Sequence, residues 1–196
     1  MGYLLLLLLF VFHYTCRSCG CDLRAYDRSS YRGRSLLLRQ QNANFKNDYF
    51  DNRIESVRVY GKCQWLIYQH VNFEGQSYIV NPGSYSSAKR WGGSGNRISS
   101  ARALPAKGTK AIVLFQHANY RGRMLVLYGS NSNLLAIDFN DQLSSFIITG
   151  GRWALYEHSS YRGRSVTLGP GKYTSASALG GAGGNDKISS IKALNC

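Results

Sequence analysis

Four times along this chain an aromatic residue is followed, after four intervening residues, by a second aromatic, any residue, and a glycine. The instances are Tyr26…Tyr31-x-Gly33, Tyr68…Phe73-x-Gly75, Phe115…Tyr120-x-Gly122 and Tyr156…Tyr161-x-Gly163. A pattern recurring at a fixed period marks a repeated supersecondary unit, which limits the chain to architectures built by stacking that unit. Units one and three stand 89 residues apart and units two and four 88, counted between their glycines, so the repeat is a repeat of pairs. The heptapeptide SSYRGRS occurs verbatim at 29–35 and again at 159–165, in the first and last units. The expectation is two domains of two units each.

A second signature follows each first one: DNRIES at 51–56, GNRISS at 95–100, NDQLSS at 140–145 and NDKISS at 185–190. Each is trailed by a short alternating segment that reads as a strand. Between the signatures of units two and four lie Gly-rich Pro-Gly turns ending in Tyr85 and Tyr173. The unit therefore predicts about four short strands and no helix, with the glycine at a positive φ that folds a hairpin over its own aromatic. Paired four-stranded units of this kind close as a Greek-key sandwich.

With these motifs in place, the chain resembles the βγ-crystallin superfamily, whose Greek-key unit carries the same aromatic–glycine hairpin and a serine some twenty residues later. Here those serines are Ser56, Ser100, Ser145 and Ser190. The resemblance covers residues 22–195 in all four units. It implies an all-β protein of two βγ-crystallin-like Greek-key β-sandwich domains, 21–104 and 105–196, meeting near Pro105 and Gly108, and it makes the repeated heptapeptide scaffold.

It also gives the second signature a chemistry. In calcium-binding members it reads (Asn/Asp)-(Asn/Asp)-x-x-(Ser/Thr)-Ser, and NDQLSS and NDKISS match throughout. Ca²⁺ is a hard cation that takes six to eight oxygens, and adjacent amides, carboxylates, hydroxyls and turn carbonyls supply them. The resemblance implies sites shared between two units. Asn140, Asp141 and the Gln142 carbonyl are completed by Ser189 and a carbonyl near Glu157; Asn185, Asp186 and the Lys187 carbonyl are completed by Ser144 and one near Gln116. In the first domain Asp51, Asn52 and Arg53 pair with Ser99. The remaining combination, Asn96 with Glu55, has Gly95 in place of its first ligand and reads as degraded. The competing interpretation is that Asn-Asp before Ser-Ser is only a turn, since these side chains also bond their own backbone.

Catalytic patterns are wanting. His70, His117 and His158 each stand two residues after the first aromatic of a unit. Equivalent positions in separate units do not converge on one nucleophile or metal, and no phosphate loop or zinc spacing occurs. A non-enzyme is expected.

The apolar run at 3–12 is too short for a membrane-spanning helix and reads as a secretory leader cut after Gly20, with an uncleaved anchor as the alternative. Cleavage leaves Cys21, Cys63 and Cys196 in an oxidising compartment; Cys21 and Cys63 occupy matching positions in two units. An odd cysteine leaves a free thiol or a disulfide-linked dimer. No Asn-x-Ser/Thr sequon is present.

The formal charge of +14 falls to +13 without Arg17 and is shared by both domains, with Arg-Gly-Arg in three of the four hairpins. Extracellular polyanions such as sulfated glycans or anionic surfaces are the expected partners of such a face, against the alternative of a merely soluble surface. Nucleic acid is not expected for a secreted chain. The leading expectation is a secreted, Ca²⁺-stapled structural or matrix protein; the second is a basic host-defence or toxin-like protein acting on anionic glycans or membranes. A lens-type refractive role is made less fitting by the leader and the charge.

Overall fold

The computed structural model describes residues 20–93, 96–182 and 187–194. The leader and Cys196 lie outside these residues, as do Gly95, Asn185 and Asp186. The first domain contains β1 (Leu23–Arg28), β2 (Arg32–Leu38), β3 (Ser56–Val59), β4 (Trp65–His70), β5 (Glu74–Val80), β6 (Gly83–Tyr85) and β7 (Ser100–Ala103). The second contains β8 (Ala111–His117), β9 (Arg121–Leu127), β10 (Ser145–Gly150), β11 (Arg152–His158), β12 (Arg162–Leu168), β13 (Gly171–Tyr173) and β14 (Ser190–Leu194). Short 3-10 turns are the only helical segments among the described residues, and no helix there is long and apolar enough to cross a membrane.

Each domain is a pair of antiparallel sheets that exchange a strand. In the first, the order β2-β1-β3-β6 places β6, from the second unit, at the edge of the first unit's sheet. The second sheet, β5-β4-β7, receives in return a single-residue bridge from the first unit, Asn42 to Ala101. The second domain repeats this with β13 joined to β10 and Asn131 bridged to Ile191. Neither unit completes its sheet without the other, so the domain is the folding unit. Alternation along the strands turns Leu23, Ala25, Val57, Trp65 and Ile67 inward in the first domain, and Ile112, Leu114, Phe146, Trp153 and Leu155 in the second.

The signature hairpins are folded as expected, and further than expected. Gly33, Gly75, Gly122 and Gly163 have φ between 70° and 77°, but the two residues before each intervening position, such as Asn72 and Phe73, are left-handed too, at 57° and 63°. The reason lies in what holds them. Ser100 Oγ accepts from the Phe73 N–H at 3.1 Å and donates to the His70 carbonyl at 2.6 Å. Ser56, Ser145 and Ser190 make the same two bonds in their own units. All four serines are fully buried, so each hydroxyl both satisfies a strained backbone and has nowhere else to bond. The two aromatics of each unit then meet edge to face or tilted, with centroids 5.4–5.8 Å apart.

Cys21 and Cys63 are joined in a disulfide with Cα atoms 5.4 Å apart, tying the entry of β1 to the segment before β4. The domains meet through a third apolar cluster that includes Leu66, Tyr68, Leu104, Val113, Phe115, Tyr120 and Ile147. Arg102, 1% exposed, crosses this junction. Its Nε donates to Tyr68 Oη at 2.8 Å, and its terminal nitrogens donate to the Tyr120 and Gly122 carbonyls of the second domain at 2.8 and 2.9 Å.

Candidate metal centre

Both second signatures that can be followed in full form the same half-site. The chain leaving the 3-10 turns Phe45–Asp48 and Leu134–Ile137 passes through Phe50 or Phe139 into a turn where Asn52 (φ 54°) or Asp141 (φ 52°) is left-handed, a conformation that short amide and acid side chains accept. The turn is pinned from the other unit: the Asn52 N–H donates to the Ile98 carbonyl at 3.0 Å, and that of Asp141 to the Ile188 carbonyl at 3.4 Å. A second bond crosses at the serine itself: the Phe45 N–H donates to the Ser99 carbonyl at 2.9 Å and the Leu134 N–H to the Ser189 carbonyl at 2.9 Å. This exchange of hydrogen bonds brings the early residues of one signature beside the penultimate serine of the other.

In the first domain Asp51, Asn52 and Ser99 share an open cleft of about 370 Å³ with Gln69, Lys46 and Arg97. Ser99 Oγ and Asn52 Oδ1 are 3.5 Å apart, a separation two oxygens can span while both ligate one Ca²⁺ at roughly 2.3–2.6 Å. Asp51 Oδ1 is buried and has no hydrogen-bond partner among the described residues, while its Oδ2 accepts from the Asn52 amide at 3.1 Å. A shielded carboxylate oxygen without a donor is costly unless a cation answers it. The donor set fits a hard cation; among the described residues no cluster of three His, Cys, Asp or Glu offers a zinc-type alternative.

The second domain builds the matching cleft, about 380 Å³, from Asp141, Glu157, His158, Lys187 and Ser189. Asn140 donates its amide to Asp141 Oδ2 at 2.6 Å, and Glu157 Oε2 accepts the Arg164 N–H of the folded hairpin at 3.1 Å. Two carboxylates face this cleft where one faces the first, and Leu135 stands where the first domain has Lys46. Lys187 therefore lines the site of the opposite signature, just as Arg97 lines that of Asp51.

Of the remaining expected ligands, Arg53, Gln142 and Gln116 were expected through their backbone carbonyls, and Ser144 holds the same place in its unit as Ser99 and Ser189. Arg53 is exposed, and Gln142 donates its side-chain amide to the Asp138 carbonyl at 3.4 Å. Ser144 is buried, its N–H bonded to the Phe115 carbonyl at 3.1 Å. Gln116 Oε1 accepts the Arg123 N–H at 3.4 Å. Asn185 and Asp186, which would complete the site with Ser144, lie outside the described residues. Asn96 repeats the turn, its N–H 3.4 Å from the Ile54 carbonyl, beside a partly buried Glu55.

The histidines lie exposed over the hairpin glycines: a Cβ on Gly75, Gly122 or Gly163 would fall 2.5–2.8 Å from the ring of His70, His117 or His158. The Arg-Gly-Arg hairpins also differ in what they do. Arg123 is bonded to Asp138 at 2.8 Å and to the Ile137 carbonyl, whereas Arg32 donates to the Ser29 carbonyl of its own hairpin at 3.4 Å.

Residues 22–104 and 111–194 each match the Beta/Gamma crystallin family. Gamma-crystallin F of Bos taurus is 32% identical over 148 residues, spanning 76% of this chain and 83% of its own length. Gamma-crystallin D of Homo sapiens is 30% identical over the same shares. Geodin, a beta-gamma crystallin from Geodia cydonium, superposes with a TM-score of 0.69 at 25% identity, covering 89% of this chain and 99% of Geodin.

Proposed function

The chain belongs to the Beta/Gamma crystallin family, and from that premise we propose that it is a secreted, non-catalytic structural protein whose two-unit domains are stapled by Ca²⁺. The observation that carries the proposal is the buried, donorless Oδ1 of Asp51 beside Asn52, within reach of Ser99 from the other unit. A cation there is held by both units and so opposes their separation. Asp51, Asn52 and Ser99 hold it in the first domain, with Asp141, Glu157 and Ser189 as the corresponding set in the second. The second set binds more tightly, since it offers two carboxylates and faces one cation, Lys187, where the first faces both Lys46 and Arg97.

Extracellular calcium keeps such sites filled, which makes the ion a constituent of the fold. At a free concentration of about 100 times Kd, each site adds about 2.7 kcal/mol to stability. Thermal melts of the mature protein, chelated and in millimolar Ca²⁺, test this beside Ser99→Ala/Ser189→Ala. The melting temperature rises with Ca²⁺ and the variant loses most of the rise. Identical melts with and without the ion would reduce both clefts to turns.

A further inference from the structure

The four units present equivalent outward sheet faces, and two of them are covered. Across neighbouring strands the equivalent rows read Leu37–Arg24–Arg58, Ile79–Leu66–Arg102, Val126–Val113–Ile147 and Thr167–Ala154–Lys192. The second and third rows close on each other as the domain junction. The first row is open and carries two arginines directly opposite one another on β1 and β3. Like charges so placed repel, and the nearby carboxylates are committed: Asp22 to Arg39 at 3.9 Å and Asp27 to the Arg34 N–H at 2.8 Å.

Arg102 shows what an arginine at this position does when its face is covered. Its guanidinium lies 4.5 Å over the Phe73 ring and its donors take two carbonyl oxygens from the partner surface. Arg58 holds the same pose, 4.1 Å over Tyr31; its Nε is shielded from solvent and has no acceptor among the described residues, which leaves the terminal nitrogens to meet a ligand. Arg32 and Arg34, on the hairpin of the same unit, are exposed.

We propose that this open face of the first unit binds a sulfated polysaccharide chain, with Arg24 and the terminal nitrogens of Arg58 taking sulfate oxygens. A second copy of the chain does not fit. By repeat order its fourth face would dock here, bringing Lys192 against Arg24 and Arg58 where the internal junction has Val113 and Ile147. A bilayer is disfavoured because none of the exposed large apolar side chains, Tyr49, Tyr60, Tyr128 and Leu135, belongs to this row. The proposal rests on the extracellular placement of the protein and is independent of the calcium sites.

Heparin binding by the purified mature protein, in Ca²⁺ and again in chelator, separates the two proposals. Arg24→Gln/Arg58→Gln weakens binding at least tenfold, while Lys107→Gln/Lys172→Gln, which removes equal charge beside the domain junction, changes it less than twofold. Desulfated heparin does not bind. Arg58→Lys, which keeps the charge but loses the fork, gives an intermediate loss and guards against misfolding of the double variant. Equal losses in both double variants, equal binding of desulfated heparin, no heparin binding, or binding only to phosphatidylserine vesicles or to itself would each overturn the proposal.

Discussion

The smallest determinant of this fold is one buried hydroxyl per unit. Ser100 joins a left-handed N–H and the His70 carbonyl, so an alanine there removes two hydrogen bonds and strands both partners. Leaving buried groups unpaired costs about 1–3 kcal/mol each, so Ser100→Ala is expected to lose roughly 2–4 kcal/mol in urea unfolding. Ser84→Ala, at an exposed position on β6, stays within about 0.5 kcal/mol. An equal response from both would mean that the clamp contributes nothing. The serine was legible in the sequence by its spacing, but its partners were not, since they lie in the preceding strand turn. Arg102 was not legible at all. Within an alternating Ser-Ala-Arg-Ala stretch it has the pattern of a solvent-facing residue, and only the apposition of a second domain buries it.

At the scale of the element, the folded hairpin shows why the repeat had to be written in full each time. Gly75 stands at φ 76°, and a Cβ there would meet the His70 ring at 2.6 Å. The left-handed backbone alone costs an ordinary residue about 1–2 kcal/mol. Gly75→Ala should therefore destabilise by that amount plus the ring contact, and His70→Ala in the same chain should recover only the second part, because the exposed ring can swing aside. Full recovery in guanidinium unfolding would show that sterics, and not φ, select the glycine. The pattern located all four hairpins and most strands. It did not reveal the exchange of β6 and β13 between units, nor that the reciprocal strand shrinks to Asn42 and Asn131, because a three-residue edge or a single bridge leaves no periodicity to read. For the candidate clefts, the family resemblance grouped Asp51, Asn52 and Ser99, and the pairing of units brings these three together. The intruding Lys46 and Arg97 were not legible, since their proximity arises only from the pairing of units.

For the whole molecule, the junction between domains couples stability to alkaline pH. Tyr68 is buried, donates to the Tyr120 carbonyl at 2.6 Å and accepts from Arg102. Burial pushes its phenol up to about 12, against the opposing pull of Arg102, and burial likewise lifts Tyr120 to about 12. The same desolvation lowers Arg102, and the Tyr68 contact works against it. A phenol whose pKa is higher in the folded chain binds its proton more tightly there than in the unfolded chain. Its contribution is fully present below about pH 10, where both states are protonated, and is lost as pH rises from about 10 through about 12. For Tyr68 a difference of about two pKa units corresponds to roughly 2–3 kcal/mol. Absorbance titration of the phenols should show two that ionise late and together with loss of the domain junction, while the remaining fold persists longer under its separate cores. Tyr68→Phe removes one late phenol and shifts the alkaline transition. Ionisation of every tyrosine near pH 10, with no coupled transition, would mean that the junction opens freely in solution and that Arg102 does not hold the two domains as one body.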